Sequence, residues 1–69
     1  MATVTHPITE HDVVSFREMG GKWPTGTAGT VVSDYGDVKL VEISDDRGVA
    51  LDYVQMPIAR LELVAKHST

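Results

Sequence analysis

Cysteine is absent from the 69 residues, so neither disulfides nor thiolate metal sites can brace the fold, and a cytoplasmic location is expected. Basic charge is scarce as well. Six Lys and Arg stand against ten Asp and Glu, for a formal net charge of -4 and a pI near 5.1. Phosphate binding with counterion release needs clustered cations, and here they are scattered, so no nucleic-acid partner is expected. No apolar run approaches the roughly 18 residues of a membrane span, and Met1 to Pro7 lacks the basic and apolar regions of a secretory leader. A single domain of this size buries only about 60% of the surface its unfolded chain exposes. About a dozen well-packed side chains must suffice, or oligomerisation must help.

What the chain does contain is organised around Gly26, Thr27, Ala28, Gly29, Thr30, Val31 and Val32. Two glycines three apart, running into β-branched residues, read as a tight bend that feeds a strand. Residues 1–11 read as an N-terminal arm without periodicity, 12–64 as the folded unit and 65–69 as a tail. Thr9 with Asp12 three residues on allows one capped turn, not a helix, because the run that follows is β-branched. Strands are expected at Val13–Phe16, Gly29–Tyr35, Val38–Ile43, Val49–Val54 and Leu61–Val64. Between them lie a long loop over Glu18–Thr25 with Gly20, Gly21 and Pro24, a tight hairpin at Gly36–Asp37, a turn at Asp45–Gly48 with Gly48 left-handed, and one 3₁₀ turn over Pro57–Arg60.

Five short strands with a 3₁₀ turn before the last one is the element order of an all-β, SH3-like five-stranded barrel. Closure of the sheet would remove free edges and let a few inward side chains fill the interior. Period-2 alternation nominates Val14, Phe16, Val31, Val41, Ile43 and Leu61 for that interior, with Leu63 or Ile58.

Three segments carry a resemblance: Asp12, Val13, Val14 at the opening of the first strand, the Gly26–Val32 bend, and Met56, Pro57, Ile58, Ala59, Arg60, Leu61 near the end. From Asp12 to Val64 the chain resembles an uncharacterised family of small bacterial SH3-like barrel proteins with a D-V-V opening, a G-x-x-G-T-V-V centre and a P-x-x-x-L ending. These motifs serve turns and core, so the resemblance implies the fold and is silent on chemistry. Trp23 and Pro24 depart from any pattern of that family. A weaker similarity, over Val54, Gln55, Met56, Pro57, Ile58, Ala59, Arg60, Leu61 and Glu62, is to the type II dihydrofolate reductases, tetramers built around one pore. That likeness implies Gln55 facing a pore with Met56 at an apolar position, but the tyrosine of the reductase motif is missing.

Candidate chemistry is thin. His6, His11 and His67 share no metal-ligand spacing, and His11 between Glu10 and Asp12 reads as a solvated strand entry. Asp45 and Asp46 are turn residues whose side chains point apart, unsuited to paired acid and base work. Gly20, Gly21, Gly26 and Gly29 precede no helix, so they form no phosphate-binding loop. No cofactor is expected.

The aromatic and outward apolar residues are the better lead. Trp23, Tyr35 and Tyr53 are candidates to converge on one face, with Leu40 beside Glu42. Trp23 equally suits a lid over one end of the barrel. The sequence therefore predicts a non-catalytic protein interaction module, either a homo-oligomer such as a dimer or the companion of a partner protein, with Trp23, Tyr35, Leu40 and Tyr53 as contact residues. The alternatives are an oligomeric enzyme like the type II dihydrofolate reductases and a nucleic-acid-associated barrel like the KOW domains, which share the glycine-to-valine bend.

Overall fold

The structure, a computed structural model, describes residues 8–67. Most of the expected arm, with His6, and the last two tail residues lie outside the described residues. Strands β1 (Val13–Phe16), β2 (Ala28–Asp34), β3 (Val38–Ser44), β4 (Ala50–Pro57) and β5 (Leu61–Ala65) follow in order, with a 3₁₀ turn at Ile58–Arg60 just before β5. They form one antiparallel sheet in the order β4-β3-β2-β1-β5. This is the all-β, five-stranded architecture the sequence predicts. The ladder stays open, however: among the described residues β4 and β5 are its two edges, so the curled sheet is not hydrogen-bonded into a closed ring and no described strand pairs with either edge. No helix among the described residues is long and apolar enough to cross a membrane.

β2 is the shared strand. Its first part pairs with β1 (Val14 opposite Gly29) and its second with β3 (Val31 opposite Val41). Gly26, at φ +91°, turns the long loop back toward β1, and its N–H reaches the Phe16 carbonyl at 2.8 Å. Gly29 answers a different need. A Cβ built there would lie 2.5 Å from Val41 Cγ1 and 2.7 Å from the Glu42 carbonyl oxygen, so β2 approaches β3 more closely than a side chain allows. Past this point a bulge between Val31 and Ser33 lets β2 bend.

The core is Val14, Phe16, Val31, Val41, Ile43, Met56 and Leu61. Alternation along β1 and β3 places their residues as expected, with Val14 and Phe16 buried and Val13 and Ser15 partly exposed on β1. Two expectations change. Ile58 is 42% exposed and Leu63 only partly buried, so neither completes the interior. Met56 does, because β4 runs three residues beyond the predicted Val54 and pairs Met56 with Lys39 and Pro57 with Val38. Pro57 terminates β4 without breaking it, since a proline at the end of an edge strand needs no ladder donor.

Candidate functional site

The long loop is tied down before it can act as a free arm. Gly20 and Trp23 exchange backbone hydrogen bonds of 2.9 and 2.8 Å across a tight turn in which Gly21 takes φ +57°. Gly20 is buried because a Cβ there would meet Phe16 Cε2 and Met56 Sδ at 2.8 Å. The turn delivers the Trp23 ring, half-buried, onto the core, where its Nε1–H donates to Asp52 Oδ2 at 2.8 Å. Lys22 Nζ stands 5.4 Å from the centre of the same ring, a cation–π distance. Trp23 is therefore a lid with a polar latch. The hydrogen bond from Trp23, then that from the Tyr53 N–H, hold the Asp52 carboxyl below its ordinary range; burial opposes them and the Lys22 charge assists.

The other nominated residues divide between two places. On β3 and β4 the face opposite the core carries Glu42 directly across from Tyr53 and Leu40 across from Gln55. Tyr53 and Leu40 are thus diagonal neighbours, about 7 to 8 Å apart by sheet geometry and within reach of an aromatic ring. Tyr53 is 55% exposed. The rows continue onto β2, with Thr30 beside Glu42 and Ser33 beside Leu40. Tyr35 is elsewhere. It sits in the β2–β3 hairpin, its N–H on the Val38 carbonyl, at the end of the β3–β4 ladder away from Ile43 and Asp52. Four strand positions separate Val38 from Glu42, which faces Tyr53, and five from Ile43, which faces Asp52, about 13 and 17 Å at strand rise, so Tyr35 does not join Trp23 and Tyr53.

Two polar clusters escaped sequence reasoning. Asp12, completely buried, accepts hydrogen bonds at Oδ2 from the Thr9 N–H (2.8 Å), the Thr9 hydroxyl (3.2 Å) and Lys66 Nζ (2.7 Å), and at Oδ1 from the His67 N–H (2.7 Å). Burial pushes this carboxyl up. The bonds from His67, Lys66 and Thr9, with the Lys66 charge, outweigh burial and hold it far below the usual carboxylate range. The approach to β1 is thereby clasped to the exit of β5. The Thr9–Asp12 turn needs His11 at φ +75°, a left-handed position that histidine tolerates better than most residues. His11 pairs with Glu10 at 3.2 Å, and its ring centre lies 5.1 Å from that of His67.

The second cluster is Lys39, an inward position on β3 whose side chain is 6% exposed and whose Nζ meets Asp34 Oδ1 at 2.5 Å. That bond, then one from the Gly36 N–H, lowers the Asp34 carboxyl; burial opposes them and the Lys39 charge adds to them. The signal for Lys39 was its parity with Val41 and Ile43. The Asp12 clasp left only the Thr9–Asp12 spacing as a clue.

Among the described residues no three His, Asp or Glu side chains gather in a metal-holding arrangement, and their surface carries no pocket. The geometry offers a sheet face and an open edge. No family model, curated protein or solved structure matches the chain.

Proposed function

We propose that this chain is a non-catalytic protein interaction module that engages a second protein, or a second copy of itself, through the outer face of β3 and β4. The observation that carries the reading is the placement of Tyr53, 55% exposed, diagonal to Leu40 on a sheet face beside an unpaired edge strand. Aromatic side chains with an apolar body and a polar tip anchor protein interfaces at little entropic cost. Leu51, 54% exposed on the same strand, extends the apolar surface. Trp23 supports the face from behind by fixing Asp52, the residue before Tyr53. A cytoplasmic location belongs to the same reading, with the cysteine-free sequence as its support.

The test is site-specific photo-crosslinking in the cell of origin, with a photoreactive residue at position 53 and a control at position 62 on β5, alongside sedimentation velocity over a range of concentrations. The reading expects a discrete adduct, to itself or to a partner, from position 53 and not from 62. A monomer at all concentrations that forms no adduct from position 53 contradicts it.

A further inference from the structure

The charge pairing across the molecule is lopsided. Lys22 lies over Trp23, and Lys39, Arg47, Arg60 and Lys66 pair with Asp34, Asp45, Glu18 and Asp12, leaving only Arg17 of the six Lys and Arg without a contact of either kind among the described residues. Among the described residues, Asp37, Glu42, Asp46, Asp52 and Glu62 have no ion pair, Asp52 being held instead by Trp23 and the Tyr53 N–H. Three of these five frame one surface. Glu42 is in the middle of the outer β3–β4 face, and exposed Asp37 and Asp46 sit in the turns at its two ends. The apolar residues Leu40, Leu51 and Tyr53 thus have one carboxylate beside them and others in the turns at both ends.

The adjoining edge is bounded on both sides. Pro57 has no N–H to offer at one end, and at the other the register shifts opposite Ile43–Ser44 while Asp52 is occupied by Trp23 and the Tyr53 N–H. Such features commonly blunt edge strands. Between them Tyr53–Met56 runs in unbroken register against Lys39–Glu42, with no charged side chain of its own and no strand on its far side.

We propose that this window receives an extended, lysine- or arginine-bearing segment of a partner protein, added as a strand beside β4. The proposal rests on the interaction reading above and names its partner. Strand addition supplies main-chain hydrogen bonds, and alternate side chains supply specificity. A strand docked beside β4 lies about 10 Å from β3, two strand spacings away. A lysine on its outer face therefore crosses the Tyr53 ring on the way to Glu42 and gains cation–π as well as ionic attraction. A second copy is the poorer occupant. It carries the same formal net charge of -4, and its own Tyr53–Met56 window, having no charged side chain, sets no cation against Glu42.

The experiment titrates the isotopically labelled full chain with two end-blocked peptides, four Val–Lys repeats and four Val–Glu repeats, and follows amide shifts and amide exchange. The lysine peptide should move Tyr53–Met56, Leu40 and Glu42 and slow exchange at the alternate amide of that window that faces the open edge and is not already bonded to β3 or, like the Tyr53 N–H, to Asp52, while the glutamate peptide leaves the spectrum unchanged. Glu42→Lys should weaken lysine-peptide binding about tenfold, because an attraction is replaced by repulsion, and Glu42→Gln should fall between it and the parent. Retention of the remaining spectrum shows that either variant is folded. Equal responses to both peptides, shifts confined to the β5 edge, or no response to the lysine peptide overturn the proposal while leaving crosslinking from position 53 intact. A concentration-dependent dimer through Tyr53–Met56 also overturns it, and at the same time upholds the interaction reading.

Discussion

Asp12 is the residue on which the two ends of the described chain depend. A buried carboxylate with four donors cannot lose its charge without leaving Thr9, Lys66 and His67 poorly matched. Asp12→Asn keeps the size but turns an acceptor into a donor facing other donors. We expect it to lower unfolding free energy by about 2 to 4 kcal/mol in urea titrations, a large share of the about 3 to 10 kcal/mol typical of a domain this size. The pH dependence follows from the direction of the shift. The folded carboxyl lies below its unfolded value of 3.8, so its contribution is present above that pH and is lost as pH falls through the range beneath it. Asp34 and Asp52 shift in the same direction and add to the same acid limb. Urea midpoints measured from pH 6 down to 2 should fall along this limb, and Asp12→Asn should flatten it. At Gly29, substitution by Ala drives a Cβ against the Glu42 carbonyl and Val41. The Glu42 backbone cannot rotate away as a flexible side chain would, so a loss of about 1 to 3 kcal/mol is expected by the same titration.

At the scale of elements, β4 and its 3₁₀ turn separate core from surface within three residues. Met56→Ala should cost about 2 to 5 kcal/mol, because it empties a buried site beside Phe16 and Gly20, whereas Ile58→Ala should change stability by less than about 0.5 kcal/mol. Thermal denaturation of the two variants side by side checks both. This was also where sequence reasoning failed locally. The sequence ends the fourth strand at Val54 and gives Pro57 to the 3₁₀ turn, yet an edge position lets a proline close the strand, and edge status is a property of the whole sheet. β1, β3 and the turn glycines were legible because period-2 burial and positive φ at Gly26, Gly36 and Gly48 are local demands. The Asp12 clasp was not legible, because its donors Lys66 and His67 lie more than fifty positions away. For the candidate site, Leu40 could be placed outward by alternation with Val41 and Ile43, whereas the place of Tyr53 opposite Glu42 depended on the pairing of β3 with β4. The separation of Tyr35 from Trp23 depended on the register of β3 against β4.

The described residues form a curled sheet with seven buried hydrophobic side chains and two open edges, and the sequence carries carboxylates in excess over cations. The sheet's edges differ in character. β5 has exposed Glu62 and Val64 and is clasped at its end through Asp12, whereas β4 presents Tyr53 and Gln55 beside the unpaired Glu42. If recognition belongs to the β4 side, two exposed large side chains of similar accessibility must behave differently: Tyr53 at 55% and Val64 at 59%. The decisive measurement is the affinity of the Val–Lys peptide for Tyr53→Ser and for Val64→Ser. Loss of binding by Tyr53→Ser with Val64→Ser equal to the parent is the predicted result. Binding by Tyr53→Ser as tight as the parent's, or equal loss in both variants, would contradict the assignment of recognition to the outer β3–β4 face.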